Sequence, residues 1–106
     1  MAWTVETLSK VVDQEIASLP PKIQAKPLWI MELIEARGLP ELRPPHIAHL
    51  EGRLSELRAK GLEGIGRALF VVTTERVVIL HAFHKKTQKT PQGAIATAHR
   101  RAKDVR

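Results

Sequence analysis

Cysteine and tyrosine are both absent from this 106-residue chain, and its only aromatic side chains are Trp3, Trp29, Phe70 and Phe83. Without cysteine there is no disulfide scaffold, no thiolate chemistry and no Cys-based zinc site, so stability has to come from packing. Without tyrosine no phenolic acid or base can act. Four aromatics serve the stacking of single-stranded bases poorly, and Trp3 and Trp29 read as core residues. No apolar run approaches the roughly 18 residues needed to span a bilayer. The segment "MAWTVETLSK" also lacks the basic region and apolar core of a secretory leader. The expectation is a soluble, cytoplasmic protein without membrane contact. A hydrophobic content of 43% in a chain of this length suits a single domain over residues 1–106.

Charge is unevenly placed. The chain has 17 Lys and Arg against 11 Asp and Glu, a formal net charge of +6. Residues 84–106 hold Lys85, Lys86, Lys89, Arg100, Arg101, Lys103 and Arg106 against Asp104 alone, which accounts for the whole excess and leaves ten basic and ten acidic groups in the first 83 residues. A local excess of this kind suits a surface built for a polyanion, with nucleic acid the first candidate; the competing reading is a basic tail that keeps a small protein soluble.

"WTVETL" alternates as a short strand does. Leu8, Val12, Ile16 and Leu19 then recur at helical spacing until Pro20-Pro21. Ile23, Ile30, Leu33 and Ile34 form a second apolar stripe, closed by Gly38 and Pro40, so two helices should form an antiparallel hairpin. Pro27 lies within the second and predicts a kink or a restart there. "GLPELRPPHIAHLEG" reads as an irregular connection. "RLSELRAK", "IGRALFVV" and "RVVILHAF" read as three meander strands, the last two joined by a tight hairpin at "TTE". Thr90-Pro91 is a suitable N-cap and first-turn pair for a last helix, whose apolar stripe is Ile95, Ala98, Ala102 and Val105. The expected fold is a small α+β domain: an antiparallel sheet with an N-terminal helical hairpin and a C-terminal helix on one face, the other face open.

That open face would carry Glu56 and Arg58 from one strand and Arg67 from the next, with Lys85, Lys86 and Lys89 entering after the last strand. Arg67 sits inside an apolar run, where a charge needs an open face or a partner. A structural ladder of Arg58 and Arg67 on Glu56 accounts for it about as well as phosphate binding does. Arginine forks bind phosphate bidentately, and clustered cations stabilise a pentacoordinate phosphorane, so RNA backbone cleavage would use this set. His84, beside the lysine pair, is a candidate acid or base in phosphodiester cleavage, although a loop histidine without a role is the simpler account. Arg100 and Arg101, on the polar side of the last helix, add to the expected RNA-binding surface. His81 and His84 fall on opposite faces of a regular strand, and His46, His49 and His99 show no ligand spacing, so neither a metal nor a cofactor is expected.

The series "LSELR", "GIGRALF" and "LHAFHKKTQKTPQGAI…AHRRAKD" resembles the HigB-like, phage-derived branch of the RelE/ParE toxin superfamily, from about Trp3 to the C-terminus. The resemblance implies the RelE fold, an antitoxin partner of helix-turn-helix type, and an endoribonuclease that cuts mRNA on the ribosome. By motif position it marks Glu56, Arg58, Arg67, Lys85, Lys86, Gln88 and Lys89 as the functional set. The chain departs from the family pattern in having Gly66 where a tyrosine commonly precedes the second arginine, Ser55 where an aromatic precedes the glutamate, and His84 where the pattern has valine. The alternative within the superfamily is a non-catalytic poison of DNA gyrase, for which missing acid–base residues would be natural.

Overall fold

The computed structural model describes residues 3–38, 47–61, 64–74, 76–85 and 89–105. In chain order these form β1 (Thr4–Thr7), α1 (Lys10–Ala17), α2 (Pro21–Arg37), β2 (Ile47–Glu51), β3 (Leu54–Gly61), β4 (Gly64–Thr73), β5 (Arg76–Lys85) and α3 (Gln92–Ala102). The sheet runs β1-β5-β4-β3-β2. Strands β2 to β5 pair antiparallel as a meander, and β1 pairs parallel with β5, from Thr4 beside Arg76 to Thr7 beside Ile79. The α+β class and the hairpin-plus-helix plan are as the sequence indicates. The sheet is mixed rather than wholly antiparallel.

Strand β2 lies in the stretch that reads as irregular. A bulge between His49 and Glu51 breaks its register with β3. Ile47 packs into one core and Leu50 into the other. Residues three apart fall on opposite faces of a strand, so these two apolar residues do not produce the same-face repeat that a sequence pattern shows. The part of that stretch between Gly38 and Ile47, with His46, lies outside the described residues.

Helices pack on both faces of the sheet rather than on one. Val12 and Ile16 of α1 and Ile30 and Ile34 of α2 pack with Leu57, Ala59, Ala68, Phe70, Val77 and Ile79 on one side. Ala94, Ile95 and Ala98 of α3 pack with Leu54, Leu69, Val71, Val78 and Leu80 on the other. Burial on both sides explains why β4 is buried without a break from Ile65 to Val71, where a half-exposed strand would alternate. Trp29, read from sequence as core, lies on the outer side of α2 and is 50% exposed.

Helix α2 runs unbroken through Pro27, which is buried. Its docking depends on Gly66. A Cβ at that position would lie 2.6 Å from Ile23 Cγ2 and 3.2 Å from Pro27 Cγ. The space beside Arg67 is therefore filled by α2, and a larger residue at 66 would push the helix away from the sheet.

Past Ile79, β5 runs on to Lys85 with no described strand on its outer edge. Side chains cap that edge. The Ala82 amide donates to Glu15 Oε1 at 3.1 Å, and Arg101 Nη1 donates to the Leu80 carbonyl at 2.8 Å. Arg101 also pairs with Glu15 at 3.0 Å, and His81 Nδ1 lies 2.9 Å from the same carboxylate. Burial pushes the Glu15 pKa up, but hydrogen bonds from His81 and Ala82, the His81 charge and the Arg101 bond outweigh it, and the net effect is a lowered pKa.

Three outcomes follow from this packing. Gly66→Ala should destabilise the fold by about 1–3 kcal/mol in urea titration, because overpacking displaces Ile23 or Pro27. Because the folded-state pKa of Glu15 is depressed, its contribution is complete above the unfolded carboxylate value of about 4.3 and fades as pH falls through the lower folded value. The melting-temperature gap between wild type and Glu15→Gln should therefore be widest near neutral pH and close under acid. Arg101→Ala should lower stability by about 1–3 kcal/mol, as expected for hydrogen bonds that involve charged groups.

Candidate functional site

Alternation along β3 puts Leu54, Glu56, Arg58 and Lys60 on the face covered by α3. The register with β4 and β5 sets three rows across the sheet: Glu56, Leu69 and His81; Arg58, Arg67 and Phe83; Lys60, Ile65 and Lys85. Along the strand direction this face grades from apolar, under α3, to a buried charged row and then to exposed cations. Lys60 and Lys85 are exposed, as is Lys89, which precedes α3.

The charged row is built around one carboxylate. Glu56 is 0% exposed and Arg67 1%. Arg67 Nη1 donates to both Glu56 oxygens, at 3.2 and 3.3 Å, and to Thr90 Oγ1 at 3.1 Å. The Thr90 hydroxyl in turn donates to Glu56 Oε2, and Arg58 Nε donates to Glu56 Oε1. Removing carboxylate and guanidinium groups from water costs several kcal/mol per ion, offset only when the charges pair and the remaining polar atoms are bonded. Glu56 meets that condition with donors from three residues. Thr90 therefore serves the buried pair rather than the helix end, and the residue at the N-cap of α3 is Pro91, which has no side-chain cap bond.

Arg58 has 28% of its side chain exposed, with Nε held on Glu56. It is the member of this row that combines an anchor with access to solvent. Arg67 is enclosed beneath it.

The other sequence-predicted residues separate into distinct places. His84 pairs with Gly66, whose Cβ direction faces α2, so His84 stands on the sheet face opposite Arg58. Arg101 is held at the β5 edge by Glu15 and Leu80, and Arg100 is exposed beside it. Both lie at the end of α3 remote from Thr90, roughly 15 Å along the helix at 1.5 Å per residue. Lys86 and Gln88 lie outside the described residues. Lys60 joins the site unforeseen, although its signal was present: it continues the alternation of Glu56 and Arg58. Thr90 was read as a cap, and no local pattern reports its bond to a residue 34 positions earlier. Among the described residues no group of three or more His, Cys, Asp or Glu is arranged to hold a metal ion.

A five-stranded sheet with a helical hairpin on one face and a C-terminal helix on the other is the RelE fold. Among solved structures, the chain is similar to one in the RelBE2 toxin–antitoxin complex of Mycobacterium tuberculosis, with 21% identity over 82% of this chain and 95% of that one and a TM-score of 0.50. The profile of the family described as "Phage derived protein Gp49-like (DUF891)" matches residues 14–103, and the chain belongs to that family. No curated protein sequence matches it.

The geometry assigns Arg67 a measurable structural burden. Arg67→Ala leaves Glu56 buried beside an empty site, and should destabilise by about 3–5 kcal/mol in denaturant unfolding. Loss below about 1 kcal/mol would show that the pair is open to water in solution.

Proposed function

We propose that the chain is the toxin of a type II toxin–antitoxin pair and acts as an endoribonuclease on mRNA at the ribosome, in the cytoplasm. The observation that carries the reading is Arg58, a partly exposed side chain fixed by a buried carboxylate, on the same sheet face as the exposed Lys60 and Lys85. The Gp49-like membership and the likeness to a chain of a toxin–antitoxin complex support the toxin assignment and an antitoxin partner.

In the proposed reaction a 2′-hydroxyl attacks the adjacent phosphorus and the bond to the 5′-oxygen breaks, leaving a 2′,3′-cyclic phosphate and a 5′-hydroxyl end. The attacking hydroxyl gives up a proton and the leaving oxygen receives one. Arg58 contacts the phosphate oxygens, while Lys60, Lys85 and Lys89 hold the strand and stabilise the phosphorane. Arg67, Glu56 and Thr90 fix Arg58 without touching RNA. No tyrosine is present, and His84 is across the sheet from Arg58, so preorganised positive charge supplies most of the acceleration. An antitoxin helix with acidic residues would neutralise the same face.

Expression of the chain alone should arrest growth, with relief by its antitoxin. Arg58→Ala should stay folded, with a melting temperature lowered by the loss of its bond to Glu56, and lose roughly 100-fold or more in cleavage of ribosome-bound mRNA, the range for one preorganised donor. Lys60→Ala and Lys85→Ala should each reduce the salt dependence of RNA binding by about one phosphate contact. An Arg58→Ala protein that cleaves at the wild-type rate would overturn the ribonuclease assignment. Growth arrest without RNA cleavage, accompanied by inhibited gyrase, would favour the non-catalytic alternative.

A further inference from the structure

The outer edge of β5 faces a cleft of about 490 Å³ that the cationic row does not account for. On α1, Val11, Gln14 and Ser18 line it, at a spacing of three and four residues that puts them on one helix face. Leu19 also lines it, as do Ala82, Phe83, His84 and Lys85 of β5. Val11 is 53% exposed although it is apolar.

The backbone of this β5 segment has hydrogen-bonding groups to offer. Successive residues of a strand turn their N–H and C=O to alternate sides. Ala82 turns its amide outward to Glu15, so His84, two residues on, turns its N–H and C=O to the same free edge. Glu15 already holds Ala82, His81 and Arg101. The Ser18 hydroxyl donates to the Gln14 carbonyl at 2.8 Å, which leaves its lone pairs facing outward as acceptors. The exposed Gln14 carboxamide supplies both a donor and an acceptor.

We propose that this cleft is a nucleobase subsite, which takes a base of the RNA strand whose phosphates lie on Arg58 and Lys85. Apolar walls from Val11 and Leu19 suit the faces of a planar heterocycle, and the carboxamide of Gln14 with the free backbone of His84 suits its hydrogen-bonding edge. Lys85 lines the cleft and also ends the cationic row, so one residue joins the base site to the phosphate site. On β5 the cleft spans the four residues from Ala82 to Lys85, which favours a single base over an extended peptide strand. This subsite rests on the RNA reading above, and it gives an aromatic-poor protein a way to select among bases without stacking platforms.

The test uses a 2′-O-methylated RNA heptamer, which binds without being cleaved, and a series in which each base in turn is removed. With wild-type protein, the heptamer should shift the NMR signals of the Val11 and Leu19 methyls and the His84 amide. One abasic position should weaken binding roughly ten-fold, within the range for loss of a recognised base. Val11→Glu should fold normally, bind the intact heptamer roughly ten-fold more weakly, and show no further loss with that abasic strand. If the heptamer shifts only residues around Arg58, Lys60 and Lys85, and Val11→Glu binds as wild type does, the base subsite is wrong and the RNA reading stands. If the heptamer does not bind at all, both fall. Cleft signals that respond to the antitoxin and not to RNA would make this a protein-docking site and overturn the proposal.

Discussion

Glu56 and Arg67 constrain this molecule more than any other pair, because neither can be buried without the other. An isolated carboxylate or guanidinium in a core of leucine, valine and phenylalanine would be driven out or neutralised. Their mutual bonds, completed by Arg58 and Thr90, make the burial tolerable. The consequence is positional. Thr90 ties the approach to α3 down onto β3 and β4, and Arg58 is held by its Nε with 28% of its side chain exposed. A buried ion pair is weak evidence for stability, since apolar residues of similar volume often do as well or better. Its retention is better explained by the side chain it orients.

A second polar node holds the far end of α3. Arg101 and Glu15 bridge α3 to α1 around the edge of β5 at the place where β1 stops, and they satisfy the Leu80 carbonyl and Ala82 amide that β1 leaves unpaired. The apolar contact of α3 with the sheet is small, made chiefly by Ala94, Ile95 and Ala98, so these two polar attachments define where the helix sits. Gly66 has the corresponding part on the other face, where it admits Ile23 and Pro27 to close contact. The position where the family pattern has a tyrosine is thus a packing position in this chain, and the proposed chemistry rests on charge.

Much of the fold is legible from spacing. The helical stripes, the hairpin between β4 and β5 and the class of the domain follow from periods of 3.6 and 2. Strand β2 escaped that reading because its five residues carry two large apolar side chains, Ile47 and Leu50, on opposite faces, and its register with β3 is broken by a bulge. The covered second face was signalled by the unbroken run "ALFVV", which a half-exposed strand would not have. The site divides in the same way. Glu56, Arg58 and Arg67 could be placed together because strand parity and the hairpin register bring them there. Which arginine is enclosed could not be read, since that depends on Thr90 folding back across the sheet. Arg101 looked like a surface cation because the carbonyl and carboxylate it satisfies belong to β5 and α1, distant in sequence.

The central claim is that the buried pair exists to hold Arg58, and it is separable from stability by replacing both charges at once. Glu56→Leu combined with Arg67→Met fills a similar volume and removes both buried charges, so the protein should remain folded although Thr90 and Arg58 lose their bonds to Glu56. The measurement is the single-turnover rate of mRNA cleavage by that double variant, beside its thermal melt. The account predicts a well-folded protein with a rate no higher than that of Arg58→Ala. A stable double variant that cleaves at the wild-type rate would contradict it.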